Sequence, residues 1–111
     1  MADLIELTPR EGRKVSKTEA ASREESVDAA GYRTLDLVLT ALAMGEVLLV
    51  RVETAMSLDA PEWRSLGVFT PLVAFGTSDA RRFDGVLRFV RWRVEKLTGG
   101  TAVFTIAGTA V

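Results

Sequence analysis

Between Val86 and Leu97 the sequence reads VLRFVRWRVEKL, and its side chains alternate with a period of two. Val90, Trp92 and Val94 share one direction and Arg91, Arg93 and Glu95 the other, the pattern of a strand with one buried and one wet face. Thr98-Gly99-Gly100-Thr101 follows, then AVFTIAGTAV, in which Phe104, Ile106 and Ala110 again fall on one side. Glycine adopts the positive φ that tight turns require, so the two stretches are expected to form a hairpin. A ribbon with one oily face needs a second layer to cover it. The expected fold class is therefore all-β, an antiparallel β-sandwich or jelly roll.

The next apolar stretch, TLDLVLTALAMGEVLLVRVETA, supports two periods at once. Leu35, Val38, Leu39 and Leu42 fit a helical stripe, whereas Leu35, Leu37 and Leu39 opposed by Asp36 and Thr40 fit a strand. Leu48, Val50 and Val52 then alternate with Leu49, Arg51 and Glu53 in a β-branched context, which favours strands throughout. Residues 34–42 and 47–54 are expected as an antiparallel pair turning at Met44-Gly45. Residues 55–62 read as a loop broken by Asp59 and Pro61. Residues 63–69 read as a strand in which Gly67 marks a bulge. TSDARRFDG reads as a polar loop carrying Arg81 and Arg82, closed by the Asp84-Gly85 turn.

At the N-terminus, Ile5 and Leu7 oppose Leu4 and Glu6, and Pro9 ends the run, as at an edge strand. Residues 10–26 carry one large aliphatic side chain, Val15, among mixed charges. Such a composition buries too little apolar surface to offset its ordering entropy. Ser16 and Glu19 have capping-box spacing, which would start a short helix. Residues 1–30 are accordingly expected to form an arm, extended or partly helical, held by its own sheet or by a neighbouring subunit. Residues 31–111 are expected to form the sandwich domain.

Composition removes most chemistries. The 111 residues include no Cys and no His, which excludes disulfides, thiolate-bound zinc, haem–His ligation, Cys nucleophiles and His-based triads. Fourteen basic against 15 acidic residues give a net charge of −1, without the basic excess of a nucleic-acid binder. Apolar runs are too short to cross a bilayer as a helix, and the N-terminus lacks the apolar region of a signal peptide. No nucleic acid, membrane, cofactor or metal is expected as a partner. Asp59, Glu62, Asp79 and Asp84 fall beside loops, where no spacing selects a catalytic pair or a calcium loop.

Trp92, in phase with Val90 and Val94, is expected in the core, and Trp63 as a plug or, with Asp59, a ligand platform. Arg51, Glu53, Arg91, Arg93 and Glu95 face away from the core as a charge ladder worth a few tenths of a kcal/mol per pair. Arg81-Arg82 is the preferred contact site. The apolar last strand is expected to be central in its sheet or covered by a partner.

The succession Asp59…Trp63-x-x-Leu66-Gly67-x-Phe69, with Gly85-Val86-Leu87-Arg88-Phe89-Val90-Arg91 leading into the late strand, resembles small β-sandwich domains over roughly residues 32–110. It is similar to small virion structural proteins of tailed bacteriophages, which combine a sandwich body with an N-terminal arm. A second similarity is to discoidin-like carbohydrate-binding jelly rolls, whose late strand carries an aromatic-Val-Arg run. This chain is shorter than those and lacks the bridging cysteines and export signal often found in them. The phage resemblance implies a non-enzymatic, multi-copy subunit made in the host cytoplasm and located in the virion. Capsid decoration or a minor capsid role is favoured over neck or tail. Its partners would be other virion proteins and copies of itself, with Leu4, Ile5, Leu7, Arg10, Arg13, Arg81 and Arg82 as contacts. The discoidin resemblance implies instead a glycan ligand on Trp63 and Asp59, the less favoured reading.

Overall fold

The computed structural model describes residues 2–111, which form nine strands in two antiparallel sheets packed face to face. The front sheet contains β1 (Asp3–Glu6), β2 (Arg13–Val15), β4 (Thr34–Ala43), β7 (Ser78–Asp84) and β9 (Ala102–Ala110). Its order is β1–β9–β4–β7, and β2 also pairs with β9. The back sheet contains β3 (Val27–Asp28), β5 (Val47–Ala55), β6 (Arg64–Val68) and β8 (Phe89–Thr98), in the order β3–β8–β5–β6. The expected β-sandwich is formed, and the alternating residues line its interior. Leu35, Leu37 and Leu39 of β4, Leu48, Val50 and Val52 of β5, and Val90, Trp92 and Val94 of β8 are all buried, as are Phe104, Ile106 and Ala110 of β9. Phe104 stands edge-on to Trp92 at 5.3 Å between ring centres, and Phe69 to Phe83 at 5.1 Å, the geometry that aromatic quadrupoles favour.

The strands follow the sequence pattern, but their pairing does not. The Gly99-Gly100 turn is not a hairpin: it carries the chain from β8 in the back sheet to β9 in the front sheet. Met44-Gly45 likewise joins β4 in the front to β5 in the back, so 34–42 and 47–54 are not paired with each other. Instead β4 pairs with β9 and β5 with β8, which sets the two crossings side by side. They touch through backbone. A Cβ on Gly45 would lie 2.0 Å from the Gly99 carbonyl oxygen, and the Glu46 N–H donates to the Thr98 carbonyl at 3.0 Å. Alternation specifies which face is buried, but a hairpin beside a second layer and a crossing between two layers bury that face equally well.

Four long segments thus run through the molecule, each bent once over the edge of the sandwich. The N-terminal segment supplies β1, β2 and β3; the others supply β4 and β5, β6 and β7, and β8 and β9. They lie in the same order in both sheets. The ladder even continues around one bend, where Leu48 and Leu72 exchange two backbone hydrogen bonds at 2.9 Å.

Two further expectations are corrected. Residues 78–84 are a strand and not a loop: β7 pairs with β4 from Thr34↔Asp84 to Thr40↔Ser78. Residues 10–26 contain no helix, so the capping-box reading fails; of the two holds expected for residues 1–30, the structure shows the chain's own sheets. β1 and β2 pair with β9, and β3 pairs with β8. Between them the Ala21 N–H donates to the Trp92 carbonyl at 3.0 Å, and the Val94 N–H to the Glu19 carbonyl at 2.8 Å. Ile5, Leu7, Val15, Ala21 and Ala29 are buried along this path. Sheet edges with unpaired backbone groups, which composition does not report, hold the segment in place.

Candidate interaction surfaces

The outward faces of the two sheets differ in kind. On the back sheet, register places Arg91 opposite Glu53 and Arg93 opposite Arg51. Arg91 donates from Nε to Glu53 at 2.9 Å, and its guanidinium lies 4.2 Å from the centre of the Trp63 ring. Glu53 is thereby buried as one half of an ion pair, with Trp63 over the other half. Arg51 reaches Glu95 at 2.9 Å, and Arg93 approaches the same carboxylate at 3.9 Å. The expected charge ladder is present, with two guanidinium groups sharing one carboxylate.

The front sheet carries fewer charges on its outward face, and the two there without an ion pair among the described residues, Lys14 and Asp84, lie toward opposite ends of β4. Read across β1, β9, β4 and β7, one row of outward residues is Leu4, Thr109, Asp36 and Arg82; the next is Glu6, Ala107, Val38 and Ala80. A third is Thr105, Thr40 and Ser78, and beyond it Lys14 and Val103 lie beside Leu42. Asp36 accepts two bonds from Arg82 at 2.9 and 3.3 Å, and this hydrogen bond and charge push the already high pKa of Arg82 further up. Glu6 accepts from Arg10 at 3.0 Å. Large apolar side chains stand out on this face: Leu4 is 83% exposed, Leu42 47% and Val38 40%. A shallow depression of about 220 Å³ lies over Asp36–Val38 and Ala80–Arg82.

The 69–77 crossing adds a protrusion beside the front sheet. Leu72 is fixed to Leu48, and the Gly76 N–H donates to the Ala41 carbonyl at 2.7 Å, next to Leu42. Between these anchors Val73 and Phe75 point outward, 69% and 71% exposed. A phenyl ring held in water on an anchored loop is the form that interface hot spots take.

The residues singled out from the sequence scatter over this frame. Leu4 belongs to the front face, whereas Ile5 and Leu7 point into the chain's own core. Arg10 is exposed beside Glu6. Arg13 is engaged within the chain, 2.6 Å from Glu25, 3.8 Å from Glu19 and 5.4 Å from the Trp92 ring centre. Arg81 and Arg82 lie mid-strand and not at a loop tip; Arg81 donates to Thr70 at 3.1 Å, and Arg82 holds Asp36. Trp63 has one ring face under Arg91, and Asp59 pairs with Arg23, so the two do not form an open platform together. Among the described residues no three carboxylates gather as a metal ion would require. Neither a protein-family model nor a curated protein sequence matches this chain.

Sequence reading missed Val38, Leu42, Val73 and Phe75 as surface residues. The signal was present for the first two. The helical stripe through Leu35, Val38, Leu39 and Leu42 arises because Val38 and Leu42 are apolar at outward strand positions, where a solvated sheet would carry polar residues.

Proposed function

We propose that the chain is a non-enzymatic structural subunit of a tailed-phage or phage-derived particle, present in many copies, with capsid decoration favoured over neck or tail. The observation that carries this reading is the front side of the sandwich. Leu4, Val38 and Leu42 project there from β1 and β4, and Phe75 stands exposed on the anchored loop at the margin of the sheet, on a frame that ordering a partner would hardly rearrange. Rigid blocks with exposed apolar anchors are what symmetric assemblies are made from. The charged back face supports the same role, because its arginines are already fixed in place by Glu53, Glu95 and Trp63. The phage setting rests on the resemblance of residues 32–110.

The test is to purify particles from cells carrying the gene and quantify this chain by mass spectrometry. The expected result is many copies per particle, with Phe75→Glu soluble and folded but incorporated at least about tenfold less, the scale of one interface anchor. Particles that assemble while the chain stays wholly in the free protein fraction would overturn the reading.

A further inference from the structure

We propose that the front face is a self-association surface, on which two copies of this chain pack their front sheets together about a two-fold axis. The inference concerns the isolated protein and holds whether or not the particle reading does.

Charge selects the occupant. Of the acidic groups on the face, Asp36 is paired with Arg82 and Glu6 with Arg10, while among the described residues Asp84 accepts only from the Thr34 hydroxyl. Asp84 and the cation Lys14 lie toward opposite ends of β4, away from the centre of the face. A strongly charged partner would find little to answer it, while a second copy would meet no repulsion across the centre. The back sheet cannot serve in the same way. Arg51 and Arg93 already stand opposite each other with one carboxylate between them, and a second copy there would bring like charges together.

Relief is equally selective. Sheets that stack face to face approach to about 10 Å, which requires short or apolar side chains between them. Ala107 and Ala80 flank Val38, and Thr105 and Ser78 flank Thr40, so the middle of the face is low, with Leu4 and Leu42 standing higher toward opposite ends of β4. With strands ~4.8 Å apart and ~3.3 Å per residue, the four-strand face measures roughly 30 by 20 Å, on the order of 600 Å² per copy. Two such faces bury about 1,200 Å², the lower end of the range for specific interfaces. A two-fold arrangement uses the same patch twice and closes at two copies.

The test is sedimentation and light scattering of the purified full chain across concentration, with variants that a single chain tolerates. Val38 is exposed in the monomer, so Val38→Arg should fold normally by circular dichroism. In the dimer it would bury unpaired guanidinium groups, and it should raise the dissociation constant by at least about 100-fold. The chain has no cysteine of its own, so a single introduced thiol reports cleanly. Maleimide labelling of Thr40→Cys on the front face should slow as the protein dimerises, while Ser65→Cys on the back sheet should label at a constant rate. A protein monomeric at every concentration overturns the proposal. So does a dimer indifferent to Val38→Arg, protection of Ser65→Cys in place of Thr40→Cys, or open-ended polymers in place of a closed pair.

Discussion

Arg13 does at one point what a longer hydrophobic run would do elsewhere: it fastens a polar segment to the body. Its guanidinium holds Glu25 at 2.6 Å and lies against the Trp92 ring, while Ser22 and Glu25 close a turn through backbone and side chain. Burial works against the charged form of Glu25, but the Arg13 hydrogen bond and charge and the Ser22 N–H outweigh it, holding the carboxyl below its ordinary value of 4.5. The unfolded chain therefore takes up this proton at a higher pH than the folded one. The stability gained is fully present above pH 4.5 and is lost as pH falls through the folded value. Thermal unfolding followed against pH should show the midpoint dropping below that point, and limited proteolysis should then reach residues 16–26 first. In Glu25→Gln the drop should be shallower, because the titrating group is gone. A midpoint with the same pH dependence in both proteins would show that Glu25 is not the group.

At the scale of elements, the paired crossings at Gly45 and Gly99 demand glycine for two separate reasons. Gly45 faces backbone with no room for a methyl group, while Gly100 sits at φ +102° with open space around it. Gly45→Ala must force the two crossings apart and should cost about 3 kcal/mol or prevent folding, as overpacking against backbone does. Gly100→Ala carries only the conformational penalty of a left-handed backbone, about 1 kcal/mol. Urea unfolding of the two variants distinguishes these costs. The same crossings mark what the sequence left unreadable. Strand positions in β4, β5, β8 and β9 were legible because each has a continuous inward row of apolar residues. Partners were not, since a two-glycine turn is compatible with a hairpin and with a crossing. β7 was missed because, of its inward positions 79, 81 and 83, only Phe83 is apolar. Asp79 and Arg81 instead bind Thr70 at the open margin, at 2.8 and 3.1 Å, so no alternation appears. The N-terminal segment was legible as an edge strand before Pro9, but its hold on the chain's own sheets could not be told from a hold on a neighbour, because its main attachment is backbone to backbone. For the surfaces, the charge ladder was legible from strand phase. The apolar front face was visible only as an ambiguity between helix and strand.

For the whole molecule, the order of the four segments determines how it comes apart. Every strand pair joins a strand ending by Ala55 to one beginning at or after Arg64: β1, β2 and β4 with β9, β4 with β7, β3 and β5 with β8, and β5 with β6. A break in the exposed loop around Ala60 therefore leaves two pieces, neither of which retains one native pairing. Expressed separately, each piece should give a disordered circular dichroism spectrum; mixed, they should recover the strand spectrum of the intact chain. Order in either piece alone would contradict this topology. The same topology bears on biosynthesis. A ribosome would release β1 to β5 before any of their neighbours had been made, and the first native ladder could close only once β6 had emerged beside β5. Until then the leucine and valine rows of β4 and β5 stand uncovered, and speed of elongation through residues 64–110 decides how long they remain open to chaperones or to one another.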